Sequence, residues 1–109
     1  MNERDLAAHE TKAEDPAPPG ALRAKVLVLQ GSDDPFAPRD QVASFMDEMR
    51  QAEADWQLVT YGGAQHGFTR RDAASVGISG VAYHASAERR SWAAMQAFLA
   101  EIFPTGSPA

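Results

Sequence analysis

The chain has 109 residues, 44% hydrophobic and 23% charged, with no cysteine and a formal net charge of −5. That length admits one small domain with a modest core, because a chain of this size buries only about two-thirds of the surface it exposes when unfolded. The missing cysteine excludes a disulfide framework, a thiolate zinc site and a cysteine nucleophile, and the acidic balance argues against a nucleic-acid or acidic-membrane binder. No apolar run reaches the length of a membrane span or a signal-peptide core, so the expected compartment is the cytoplasm.

Residues 1–21 are expected to form a disordered arm or linker. Their second half, ending in DPAPPG at 15–20, has neither helical nor strand period, and prolines at this density remove backbone donors and keep the chain extended. Residues 25–30 (KVLVLQ) form a continuous apolar run suited to a parallel strand covered on both faces. Residues 39–54 place Val42, Phe45, Met46 and Met49 at helical spacing, with Pro38 just ahead and Asp40 in the first turn, where the helix dipole favours negative charge. Residues 56–61 (WQLVTY) are rich in β-branched and aromatic side chains and end at Gly62-Gly63, which predicts a second strand. Strand, helix and strand at this spacing imply a right-handed crossover and hence a parallel pair. The stretch 69–85 has weak periodicity and reads as a loop. Residues 87–103 put Trp92, Met95, Phe98, Leu99 and Ile102 on one stripe, with Ser86 as the expected N-cap and Glu88 near the helix start. Met46, Met49, Met95, Phe98 and Leu99 are expected in the core. Residues 104–109 read as a disordered tail.

The fold class is therefore α/β, a parallel βαβ unit plus a C-terminal helix. Two parallel strands do not make a self-sufficient sheet, since parallel strands normally sit inside larger sheets with helices on both faces. If KVLVLQ is a central strand, its outer edge lacks a partner in this chain, which then looks like part of a domain.

In open α/β sheets functional groups gather beyond the carboxyl ends of the strands. Two such loops occur here, GSDDPFAP at 31–38 and GGAQHGF at 62–68. An acid and a histidine on adjacent parallel strands are what a nucleophile–His–acid relay needs, because the acid fixes the imidazole tautomer and stabilises the imidazolium. The order acid then histidine suits the hydrolase arrangement.

These segments, together with the helix A-x-x-R-S-W-x-x-M-x-x-F-L at 87–99, resemble the C-terminal part of dienelactone hydrolase family proteins, which have the α/β-hydrolase fold. The resemblance covers residues 22–103 and divides the chain into an arm (1–21), the C-terminal part of a hydrolase domain (22–103) and a tail (104–109). It implies that Asp34 is the triad acid and His66 the general base, that the substrate is a small ester or enol-lactone, and that no metal or organic cofactor takes part. Phe68 and Trp92 match family positions without a chemical role, and the family pattern does not require Asp33. The family's nucleophile elbow, G-x-C-x-G or G-x-S-x-G, should precede Asp34. It does not occur here; the nearest approach is Gly77-Ile78-Ser79-Gly80-Val81, which follows the histidine. The expectation is thus an acid-and-base half that is inactive alone and completed by a missing N-terminal half.

Other readings compete. An Asp before Pro at a strand end is ordinary turn chemistry, a histidine on a glycine-rich turn is by default structural, and Asp33 is expected to be solvated or capping. His84 and His9 are expected at the surface, and a metal site from Asp33, Asp34, His66 and His84 lacks helix-face spacing. Arg70-Arg71 and Arg89-Arg90 suit an anionic carboxylate by their bidentate forks, but such pairs are more often a solvated face, with pairing of Arg90 to a nearby acid as the alternative. The alternative function is a non-enzymatic module that self-associates or complements a partner through its open sheet edge.

Overall fold

The computed structural model describes residues 18–104. Most of the expected arm (1–17), including His9, and all but Pro104 of the expected tail lie outside the described residues. Strand β1 spans Lys25–Gly31, helix α1 Arg39–Gln51 and strand β2 Asp55–Tyr61. The short helix α2 covers Ala73–Val76 and the terminal helix α3 covers Ala85–Ile102. The two strands pair in parallel, from Lys25 opposite Asp55 to Gly31 opposite Tyr61, so both strands end level and their following loops emerge side by side. That shared end positions the site.

Each element starts and stops for a local reason. Pro38 is the N-cap of α1, extended at φ −67° and ψ 163°, and its carbonyl accepts from the Gln41 and Val42 amides. Helix α1 stops three residues before the expected end because Glu53 adopts a left-handed φ of 54°. The chain then turns directly into β2. Gly20 N–H donates to the Ala52 carbonyl (2.9 Å), which ties the segment ahead of β1 to the end of α1. Helix α3 begins earlier than expected, with His84 rather than Ser86 as its N-cap. The His84 Nδ1 accepts from the Ala87 amide at 3.2 Å, and the Ser86 hydroxyl lies 3.2 Å from the same nitrogen. An imidazole nitrogen thus fills the role usually taken by a side-chain oxygen.

The core is thin. Tyr61, Ala64, Phe68 and Ala87 form the buried cluster, with Leu29 and Val59 packed against it, and the Tyr61 and Phe68 rings stand 5.7 Å apart. On α1, Met49 is buried and Phe45 packs edge-on to Trp56 at 6.1 Å. Among the described residues no large side chain is fully buried. Val26 to Leu29 are only half-buried, although their apolar run suits a strand covered on both faces. The reason is topological, because the sheet has two strands and the outer edge of β1 has no partner among the described residues. The same shortage corrects the expectation for α3. Met95, Phe98 and Ile102 are half-buried, but Trp92 is 57% and Leu99 42% exposed, since the apolar stripe is wider than the sheet beneath it. Helix α3 packs on β1, and Lys25 reaches both Asp55 (3.9 Å) and Glu101 (3.6 Å) at the opposite end from the site. These exposed pairs contribute at most about 1 kcal/mol each. Among the described residues no helix is long and apolar enough to cross a membrane.

Candidate active site

The loops after β1 and β2 are sewn together by their backbones. Ser32 N–H donates to the Tyr61 carbonyl and Asp33 N–H to the Ala64 carbonyl, both at 2.9 Å, so the parallel ladder continues past the strand ends. The Ser32 hydroxyl oxygen accepts from the Gly63 amide at 2.9 Å and its proton is directed to Asp33 Oδ1 at 3.1 Å. Gly31 is buried in this seam against the backbone of residues 64 and 65, where no side chain fits. Asp33 remains exposed, and among the described residues its carboxylate meets only the serine beside it.

Asp34 does two things at once. Its Oδ1 accepts from the Phe36 amide at 2.8 Å, a local turn that Asp commonly makes. Its Oδ2 stands 3.0 Å from His66 Nδ1. The two competing readings of this residue are therefore compatible, because the turn spends one oxygen and presents the other. The Asp34 side chain is 12% exposed and that of His66 54%. An ionised carboxylate only accepts, so Nδ1 must carry the proton, which leaves Nε2 of the neutral ring as an acceptor. The Phe36 ring meets the His66 ring edge-on at 5.0 Å.

The stretch expected to be a plain loop supports the histidine. His66 N–H donates to the Gly80 carbonyl (3.0 Å), and Ala82 N–H donates to the His66 carbonyl (3.2 Å). These make an isolated parallel bridge between His66 and Val81, so the segment after α2 runs beside the turn like a short strand. His84 N–H donates to the Phe68 carbonyl at 3.0 Å, which joins the start of α3 to the same turn. Sequence reasoning passed over Ser32, Phe36, Gly80 and the capping role of His84. Only the glycine flanked by Ser79 and Val81 carried a visible signal, and its meaning depended on a partner far along the chain.

A cleft of about 1070 Å³ opens over the pair, lined by Leu29, Asp34, His66, Phe68, Trp92 and Met95. At its rim Arg71 donates to Glu88 at 2.9 Å, and the Tyr83 hydroxyl donates to the same oxygen at 3.4 Å. The hydrogen bond from Arg71 holds the Glu88 carboxyl below the usual glutamate range. Arg70 grips Asp72 at 2.7 Å and lowers that carboxyl in the same way. Arg89 lines the cleft. Arg90, for which an acid partner is the alternative to a solvated face, makes no salt bridge among the described residues; its charge opposes, but does not cancel, the upward push that burial gives the Tyr61 phenol. Asp33 and His84 stand apart from the Asp34–His66 pair in their contacts, and no cluster of three or more His, Asp or Glu at metal-holding positions occurs among the described residues.

Known proteins resemble this chain in sequence and in fold. A solved structure of a dienelactone hydrolase-like promiscuous phosphotriesterase from metagenomic libraries is 44% identical with a TM-score of 0.72, over 75% of this chain and 34% of that one. The solved protein designated m3DLH is 36% identical with a TM-score of 0.72, over 81% of this chain and 39% of that one. An uncharacterized protein of Caenorhabditis elegans is 38% identical over 78 residues, 72% of this chain and 49% of the relative. The chain thus spans about half the length of its curated relative and less of the solved ones. The family model for dienelactone hydrolases matches residues 6–103, and the parallel strands, the crossover helix and α3 are a part of the α/β-hydrolase fold of those relatives. By sequence and by structure alike, this chain belongs to the dienelactone hydrolase family.

Proposed function

We propose that this chain carries the acid and the base of a hydrolase that cleaves carboxylic ester or enol-lactone bonds, with the nucleophile supplied from outside these residues. The reading is supported above all by the Asp34 Oδ2 to His66 Nδ1 approach of 3.0 Å at the floor of an open cleft. In the reaction, a serine or cysteine elsewhere passes its proton to His66 Nε2 as it attacks the carbonyl carbon. The tetrahedral adduct collapses, and the leaving alcohol or enol takes that proton from the imidazolium. Water then attacks the acyl group, again losing its proton to Nε2, and the carboxylic acid departs as the nucleophile is restored. Asp34 stays ionised throughout and stabilises the imidazolium. No G-x-S-x-G or G-x-C-x-G occurs in the sequence, which is why the nucleophile is placed elsewhere.

The test has two arms, both on a chromogenic short-chain ester. The full chain alone is expected to show background hydrolysis that His66→Ala leaves unchanged. Joined to the N-terminal remainder of the phosphotriesterase relative, it is expected to turn over, and His66→Ala then lowers the rate by roughly 10³-fold or more. Turnover by the chain alone that depends on His66 would refute the external nucleophile. An active fusion indifferent to His66→Ala would refute the acid–base role.

A second reading, a non-enzymatic association module, is favoured by the edge of β1 that has no partner among the described residues, together with the exposure of Trp92 (57%) and Phe103 (68%) on the terminal segment. A sedimentation coefficient that rises with concentration, with the fusion inactive, supports this reading; an inert monomer counts against it.

A further inference from the structure

We propose that Gly80 is a positioning residue for the Asp34–His66 pair, the point at which the acid loop and the base turn are locked to one another; the inference rests on the acid–base reading above. Gly80 meets both partners. On the base side, its carbonyl accepts from the His66 amide at 3.0 Å, and the next residue, Val81, bridges to His66. The backbone on which the imidazole is mounted is thereby clamped from this segment. On the acid side, the open face of Gly80 lies against Pro35, the residue that follows Asp34. A Cβ at position 80 would overlap Pro35 Cγ, stand 3.0 Å from Pro35 Cδ and lie 3.7 Å from Phe36 Cε2.

Those two neighbours help to hold Asp34, beside the backbone bonds of its amide to the Gly31 carbonyl and of the Ala37 amide to its own carbonyl, both 3.3 Å. The Phe36 amide occupies Asp34 Oδ1 at 2.8 Å, and the Phe36 ring stands edge-on to His66 at 5.0 Å. Pushing Pro35 and Phe36 away from Gly80 therefore moves the acid and the ring that meets the base, while the base itself stays fixed to the Gly80 carbonyl. The two halves of the pair separate. A pairing distance of 3.0 Å leaves little room for that, since hydrogen bonds weaken beyond roughly 3.2 Å.

Gly80 also has a positive φ of 88°, but that alone does not set it apart. Gly77, in the same segment, has φ 71° and nothing within 4 Å of where its Cβ would stand. The two glycines share a conformational demand, and only Gly80 shares a contact with the acid loop. Gly77 is accordingly a built-in control for backbone strain.

The experiment uses the full chain labelled with ¹⁵N in its histidine rings, with His66 assigned by the resonances lost in His66→Ala. The readout is the His66 tautomer, reported by the Nδ1–H signal, which a purely structural role would not move. The parent and Gly77→Ala are expected to show Nδ1–H, and Gly80→Ala to lose it. Pro35→Ala/Gly80→Ala, which removes the obstructing ring atoms, is expected to recover it. The proposal is overturned if Gly80→Ala retains the signal, if Gly77→Ala loses it equally, or if the double variant does not recover it. Should Gly80→Ala alone fail to fold, as judged by collapse of its amide dispersion, the double variant still decides: a folded spectrum with Nδ1–H supports the lock, and an unfolded one overturns it. Absence of Nδ1–H in the parent would instead sink the acid–base reading itself, so the two failures are told apart.

Discussion

Gly31→Ala tests the seam between the two loops. An added Cβ there would overlap the Ala64 carbonyl oxygen and stand 2.7 Å from Ala64 C and 2.9 Å from Gln65 O. All three atoms are backbone, so no side chain can swing aside. Restoring even the 2.7 Å approach to ordinary contact requires the two loops to part by at least roughly 0.7 Å, and the overlap with the carbonyl oxygen demands more. The same displacement stretches the 2.9 Å bond from the Asp33 amide to the Ala64 carbonyl to roughly 3.6 Å, beyond hydrogen-bond range. Overpacking costs about 1–3 kcal/mol and the lost bond about 1 kcal/mol, so the substitution is expected to destabilise by about 2–4 kcal/mol. Urea unfolding followed by linear extrapolation measures this directly. Gly62→Ala is the control, because nothing lies within 4 Å of its Cβ position and its effect should stay within about 0.5 kcal/mol. If Gly31→Ala unfolds at the same urea concentration as Gly62→Ala, the close approach of the loops is not what confines position 31 and the reasoning fails.

Three further outcomes follow from local geometry. His84→Ala removes the α3 cap and should cost about 1 kcal/mol, whereas His84→Asn, which can cap the same amide, should recover most of that loss; equal unfolding midpoints for the two variants would refute the capping role. Arg71 holds the Glu88 carboxyl below its ordinary range, so the bridge contributes stability above the unfolded-state value and loses it as pH falls through the folded one. Acid titration of Glu88→Gln should therefore show a shallower decline than the parent, and an unchanged acid limb would count against the bridge. Burial raises the Tyr61 phenol, so its contribution is full below about pH 10 and is lost as pH rises beyond it. Alkaline unfolding of Tyr61→Phe should start at higher pH than in the parent, and no shift would mean that Tyr61 is not what fails there.

The local pattern alone determined a good deal about this protein. The apolar run at 25–30, the stripe of Val42, Phe45, Met46 and Met49, and the β-rich segment before Gly62-Gly63 each encode one element within the reach of its own neighbours. Their order implies the parallel pair that the structure has, because a helix between two strands serves as a crossover connection. That in turn places Asp34 and His66 on adjacent loops, as the 3.0 Å approach realises. Helix ends were less legible. His84 outcompetes Ser86 as the cap of α3 because the Phe68 carbonyl already holds the His84 backbone, a contact invisible to local pattern.

Tertiary structure decided the rest. Asp34 divides its two oxygens between a turn and a histidine 32 positions away, and no motif distinguishes that from a turn alone. The stretch 69–85 lacks periodicity, and its contact with the histidine is made by backbone atoms: the Gly80 carbonyl and Ala82 amide bracket His66. Exposure along α3 was likewise beyond the sequence. A helical stripe specifies which side chains share a face, but burial depends on how much sheet lies opposite, and here the helix packs on β1 with Met95 and Phe98 half-buried and Trp92 in the open.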